Sequence, residues 1–122
     1  MSVPPALTFP KARRLTRKKE FDRVRQHGEV WRGPTMTLAV VPAAVDSGNM
    51  RAGIIASRKV GGAVVRNRVR RRLREILRKH QHRVRSGLWL VVILSARAGR
   101  TSHAQLEDEW LRLATRASIL AP

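Results

Sequence analysis

The chain has no cysteine, only eight acidic residues in 122, and no apolar run longer than the seven residues of "LWLVVIL" (88–94). Without thiols there are no disulfides, no thiolate nucleophile and no cysteine-based zinc site, a composition that suits a reducing compartment. A membrane-spanning helix needs roughly 20 apolar residues, so none is encoded. The carboxylates cluster once, at Glu107, Asp108 and Glu109, where they would favour the positive end of a helix. The histidines His27, His80, His82 and His103 are scattered and read as surface residues, and "HQH" (80–82) sets two imidazoles on different sides of a helix. No catalytic residue and no metal site is visible in the protein itself. Residues 1 to 19 lack any acid, as transit peptides do, but Pro4, Pro5 and Pro10 break an amphipathic helix there. Residues 1–13 therefore read as a flexible tail, residues 14–118 as one domain, and the chain as cytoplasmic.

What the chain has in excess is positive charge. Its formal net charge is +18, with 26 basic residues against eight acidic ones. Such an excess repels itself in the folded state unless an anionic partner neutralises it. Nucleic acid is the first candidate and an anionic membrane surface the rival. The charge peaks in "AVVRNRVRRRLREILR" (63–78), where Arg66, Arg68, Arg70, Arg71, Arg72, Arg74 and Arg78 face a single acid, Glu75. Like charges four apart on a helix, such as Arg70/Arg74, each cost a few tenths of a kcal/mol. Guanidinium groups bind phosphate bidentately and stack on bases. This segment therefore reads as an RNA- or DNA-binding surface rather than a merely solvated face.

The pattern along the chain predicts α-β-β-(β)-α-β-α. "TRKKEFDRVRQHG" (16–28) is a short helix with Thr16 as cap and Gly28 as stop. "VWRGPTMTLAVVP" (30–42) is a strand interrupted at Gly33-Pro34, "AAVDSGNM" (43–50) a turn, and "RAGIIAS" (51–57) a second strand forming a hairpin with the first. A helix runs from about Ala63 to about Arg83, with Val69, Leu73, Ile76, Leu77 and Val84 on one stripe. Leu88–Leu94 is a buried strand. "AQLEDEWLRLATRA" (104–117) closes the chain as a helix with Leu106, Trp110, Leu113 and Ala117 on one face. A small sheet with helices packed on it follows.

Gly61-Gly62 lets the backbone turn sharply into the arginine helix, whose free first-turn N–H groups favour an anion. Lys59 precedes that turn; Arg66, Asn67 and Arg68 follow it. Asn67 can read a base edge or a 2′-hydroxyl.

"SRKVGGAVVRNRVRRRLREILR" (57–78) closely resembles the signature of the bacterial ribonuclease P protein component, an Arg-Asn-Arg box opening a basic helix. Ser57, Lys59, Gly61, Ala63, Arg66, Asn67, Arg68, Arg70, Arg71, Leu73, Arg74 and Glu75 all carry family-typical types. Residues 14–28 resemble the family's first helix, 88–99 its last strand and loop, and 104–117 its final helix. The resemblance implies an α+β fold, a single-domain α/β sandwich of α-β-β-β-α-β-α order. It would be similar to domain 2 of ribosomal protein S5, with a left-handed β-α-β crossover carrying the basic helix.

The resemblance also implies a task. The partners would be the catalytic RNA subunit of ribonuclease P and precursor tRNA, with no membrane, and the protein would be monomeric in isolation. The RNA and its Mg2+ would carry out hydrolysis of the 5′ leader; the protein alone would bind no cofactor. By position, Ser57, Lys59, Arg66, Asn67, Arg68, Arg70, Arg71 and Arg74 would face the catalytic RNA. The leader would lie in a cleft between the first helix and the sheet, formed by Phe21, Arg25, Trp31 and Met36, with Trp31 read either as a cleft wall or as plain core. Aromatics make up only 4% of the chain, and Arg25, Met36, Leu38 and Ala39 stand where the family commonly has them. A ribosomal-type RNA-binding protein is the alternative.

Overall fold

The computed structural model describes residues 13–42 and 50–121. The expected flexible tail, save Arg13, and nearly all of the expected turn at 43–50 lie outside the described residues. The elements follow the order α1 (Lys18–His27), β1 (Glu29–Arg32), β2 (Met36–Pro42), β3 (Arg51–Ile55), α2 (Ala63–His80), β4 (Leu88–Leu94) and α3 (His103–Arg116). The four strands form one sheet in the order β1-β2-β4-β3.

The break at Gly33-Pro34 is a reversal rather than an interruption. β1 and β2 pair antiparallel, with Glu29 opposite Val40 and Arg32 opposite Thr37. The expected hairpin between residues 30–42 and 51–57 does not form. β4 inserts between those strands, antiparallel to β2 and parallel to β3. β3-α2-β4 is thus a parallel crossover unit, and the arginine helix is its connection.

Two cores result, one on each face of the sheet. Met36, Leu38 and Val40 of β2, Ala52 of β3, and Leu90, Val92 and Leu94 of β4 pack against Val69, Leu73, Ile76 and Leu77 of α2 and Leu106, Trp110, Leu113 and Ala114 of α3. The alternate residues Ala39, Val41 and Val91 face the other way, against Leu15 and Val24, with Phe21, Ile55, Trp89 and Ile93 around them. α2 and α3 therefore share one face and α1 has the other. Phe21 lies over Gly53 so closely that a β-carbon there would sit 2.4 Å from its ring. Any larger residue there would push the ring aside.

Local signals explain most boundaries. Glu20, not Thr16, organises the start of α1: its Oε1 accepts the backbone N–H of Thr16 at 2.9 Å and of Arg17 at 3.0 Å. α3 opens with a reciprocal cap, in which Ser102 Oγ accepts from the Gln105 N–H and Gln105 Oε1 from the Ser102 N–H. α2 ends at His80 rather than Arg83, and one tight turn, Gln81–Arg83, carries the chain onward. Val84, expected on the helical stripe, is buried beyond that turn and bridges Leu120.

Two acids and one histidine have structural duties the sequence did not announce. Glu109 is buried, and its carboxylate accepts the backbone N–H of Thr35 and of Met36, each at 3.0 Å. It thereby holds the β1–β2 reversal to α3. His80, expected at the surface, is buried. Its Nε2 lies 2.8 Å from Glu107 Oε2, and its ring stacks on Trp110 at a centroid distance of 5.9 Å.

Candidate nucleic-acid interface

The approach to the basic surface begins where β3 ends. Ser57 Oγ accepts the Lys59 N–H at 3.3 Å and starts a short turn, Arg58–Val60, that leaves Ser57 and Lys59 exposed. Gly61 then adopts φ +150°, and a β-carbon on it would meet Val65 at 2.8 Å. Gly62 is different. Its φ of −68° suits any residue, and nothing lies within 4 Å of where its β-carbon would be. The sharp turn thus depends on Gly61 alone, and Gly62 leaves the start of α2 uncovered. α2 has no side-chain cap and no acid in its first turn, so its N–H groups remain open to an anion.

The arginines of α2 divide by what holds them. Arg68 donates from Nη2 to the Gly99 carbonyl at 3.2 Å, and Arg72 from Nη1 to the Thr101 carbonyl at 3.0 Å. Both are tied to the loop after β4. On the opposite flank Arg70 donates from Nη2 to the Ala56 carbonyl at 3.3 Å and from Nη1 to Asn67 Oδ1 at 3.5 Å. Arg66 is half-buried, whereas Arg71 and Arg74 project into solvent between the flanks. A guanidinium has five N–H donors, so one bond to a carbonyl aligns it without exhausting it. Side-chain ordering is a large part of what binding costs, and these bonds meet some of it in advance. Val64, unanticipated by the charge pattern, stands almost fully exposed at the tip of this surface.

The expected cleft needs correction at two positions. Met36 is completely buried on the α2–α3 side of the sheet, and Trp31 packs against that same core. Neither faces α1. In a strand, adjacent residues point to opposite faces, so assigning Met36 rather than Thr37 to the cleft is a one-residue error of phase. β2 is apolar on both faces ("MTLAVV"), and alternation offered no guide. The pairing defines the row that does lie on the α1 side: Arg32, Thr37, Ile93 and Ile55, with Val30 beside it. Thr37, Ile93 and Ile55 are half-exposed, Val30 and Arg32 exposed. Phe21 is half-buried at the edge of this row and Arg25, one turn on, is exposed.

A pocket of about 300 Å³ joins the two regions. It is lined by Arg14, Leu15, Thr16, Phe21, Ala52, Gly53, Ile54, Arg70 and Arg74, so the one aromatic of α1 and two arginines of α2 open onto the same space. One lining residue, Arg14, is held by Arg51, which donates to the Arg14 carbonyl at 2.8 Å, pairs with Glu20 and lies over the Trp89 ring at 5.4 Å. Burial would raise the Glu20 pKa, but the N–H groups of Arg17 and Thr16 and the Arg51 guanidinium outweigh it, and the carboxyl sits below its ordinary value. It remains an anion that anchors rather than a proton donor.

Among the described residues no three His, Asp or Glu side chains come together to hold a metal, and no helix is long and apolar enough to cross a membrane. The surface can bind and orient a polyanion.

The family model described as Ribonuclease P matches residues 9–118. The chain belongs to the ribonuclease P protein family. A ribonuclease P protein component from Chloroflexus aurantiacus is 39% identical over 111 residues, covering 90% of this chain and 81% of that one. One from Thermus scotoductus is 36% identical over 121 residues, covering 98% and 69%. Among solved structures, the ribonuclease P protein of Staphylococcus aureus superposes with a TM-score of 0.82 at 23% identity, over 90% of this chain and 99% of that one. That of Thermotoga maritima gives 0.75 at 24%, over 84% and 96%. These likenesses establish the mixed α+β fold. Membership in the ribonuclease P protein family places the chain in an endoribonuclease complex of tRNA processing with an RNA partner, and sets the ribosomal-type alternative aside.

Proposed function

We propose that the chain holds the catalytic RNA of ribonuclease P along α2 and receives the 5′ leader of precursor tRNA across the α1 side of the sheet. The reading rests above all on the arginines from Arg66 to Arg74, displayed on one helix, three of which, Arg68, Arg70 and Arg72, are aligned by the carbonyls of Gly99, Ala56 and Thr101. Ser57, Lys59, Arg66, Asn67, Arg68, Arg70, Arg71 and Arg74 carry the RNA contact. Phosphates take the guanidinium groups, and Asn67 selects a base edge or 2′-hydroxyl.

Phe21, Arg25, Arg32, Thr37, Ile55 and Ile93 form the leader surface. Phe21 offers a stacking platform, worth ~1–3 kcal/mol per base, and much of the remaining grip is charge against backbone. A floor of threonine and isoleucine gives little base preference. Hydrolysis, with its magnesium, belongs to the RNA; the protein raises affinity and holds the leader in line. The chain works in the cytoplasm and is a monomer until it meets RNA.

Reconstitution tests this directly. A cognate catalytic RNA is assayed on precursor tRNA at low magnesium, with and without the protein. Stimulated cleavage is expected, and unstimulated cleavage would reject the proposal. Phe21→Ala should weaken binding of precursor tRNA more than of mature tRNA. Equal loss for both would make Phe21 only a packing residue over Gly53.

A further inference from the structure

Beyond α2 the chain builds a second cationic pocket that neither the motif nor the cleft accounts for. α3 ends with Ser118 at φ +58°. The Ser118 N–H donates to the Thr115 carbonyl at 3.1 Å and the Ile119 N–H to the Ala114 carbonyl at 3.2 Å, the bonding of a helix stop in which glycine is the usual left-handed residue. Serine there is strained, so its side chain is retained at a conformational cost. The turn sends Ile119–Ala121 back along residues 83–85. The Arg85 N–H donates to the Ile119 carbonyl at 2.7 Å and the Ala121 N–H to the Arg83 carbonyl at 2.6 Å, with Val84 bridging Leu120.

In this short ladder Val84 is buried and its neighbours Arg83 and Arg85 are both exposed. They open onto a pocket of about 380 Å³ lined by Arg83, Arg85, Thr115, Ser118 and Leu120. No carboxylate lines it. The carbonyls of Leu113, Ala114 and Thr115 already accept N–H bonds, which leaves fewer bare oxygens at the negative end of α3. Thr115 Oγ1 donates to the Leu111 carbonyl at 2.8 Å and keeps its lone pairs for a donor such as a ribose 2′-hydroxyl. Two guanidiniums, a serine hydroxyl and an acceptor suit the phosphate and sugar of RNA.

We propose that Arg83, Arg85 and Ser118 form a second phosphate-binding site for an RNA backbone. The 18 residues of α2 span about 27 Å at 1.5 Å per residue. A phosphate bound here therefore belongs to a different segment of RNA from one at the Gly61 turn. The proposal rests on the reading that this chain holds RNA, and extends the contact from one end of α2 to the other.

The test uses the full chain with the catalytic RNA transcript alone and with precursor tRNA added. Wild type, Arg83→Ala/Arg85→Ala, Ser118→Gly and Arg68→Ala are compared by salt-dependent affinity and backbone footprinting. The double variant should keep the protection that Arg68→Ala loses, lose a separate protected segment, and show a salt slope shallower by about one to two. Which RNA carries the lost protection identifies the source of the phosphate. Ser118→Gly should bind several-fold more weakly while melting at the same or a higher temperature. Wild-type slope and footprint in the double variant would overturn the site and reduce its arginines to counterions of helix ends. Absence of protection by the wild-type chain itself would instead overturn the RNA-binding reading, and this site with it.

Discussion

At Gly61 the backbone occupies φ +150° with Val65 against the missing side chain, whereas Gly62 is unconstrained on both counts. The adjacent glycines, indistinguishable in the sequence, should therefore respond unequally to alanine. Gly61→Ala should destabilise the fold by about 1–3 kcal/mol, and Gly62→Ala by less, about 0.5–1 kcal/mol for the poorer helix cap, as read from denaturant midpoints. Glu109 is a second case in which sequence and structure part. Three acids in a row at 107–109 look like one helix-start feature, yet Glu109 points inward to two backbone N–H groups while Glu107 points to His80. Glu109→Ala would leave the N–H groups of Thr35 and Met36 buried without partners. A loss of about 2–4 kcal/mol is expected; a loss within 0.5 kcal/mol would mean the β1–β2 reversal holds itself.

On α2, the division of arginines predicts how binding responds to substitution. Arg71→Ala and Arg74→Ala remove exposed cations with no carbonyl partner among the described residues, so each should leave stability within ±0.5 kcal/mol. Each should make the salt dependence of RNA affinity shallower by about one. Arg68→Ala removes a cation and its tie to Gly99 together, and should weaken RNA binding with at most a few tenths of a kcal/mol of stability. An unchanged slope in all three variants would move the interface off α2. The helix itself was legible from its 3.6-residue stripe, since Val69, Leu73, Ile76 and Leu77 are all buried as the spacing requires. Strand pairing was not. Placing β4 between β2 and β3 depends on contacts across 38 to 58 residues, and no local turn signal encodes them. The cleft suffered for the same reason: with β2 apolar on both faces, only its partners decide that Thr37 and not Met36 looks toward α1.

Across the whole molecule, a net charge of +18 makes the few carboxylates disproportionately important. Two of them, Glu20 and Glu107, tie together elements that the arginines would otherwise push apart. Glu107 lies 2.8 Å from His80 Nε2 and 3.1 Å from Lys79 Nζ, and so joins the end of α2 to the beginning of α3. The bond to His80 lowers its pKa below the ordinary value, and the bond to Lys79 adds to this against the opposing effect of burial. A carboxyl whose pKa is depressed by folding contributes stability above its unfolded pKa and loses it as pH falls through the folded one. Glu107→Gln should therefore melt below wild type by roughly 1–2 kcal/mol equivalent at neutral pH. The gap should close as pH drops beneath the ordinary glutamate value of about 4.3, where wild type itself becomes protonated. Thermal melts of the two proteins across pH 3 to 7 check this. A gap that persists undiminished at the acid end would show that Glu107 acts through packing, and that α2 is secured to α3 by Trp110 and the surrounding apolar contacts alone.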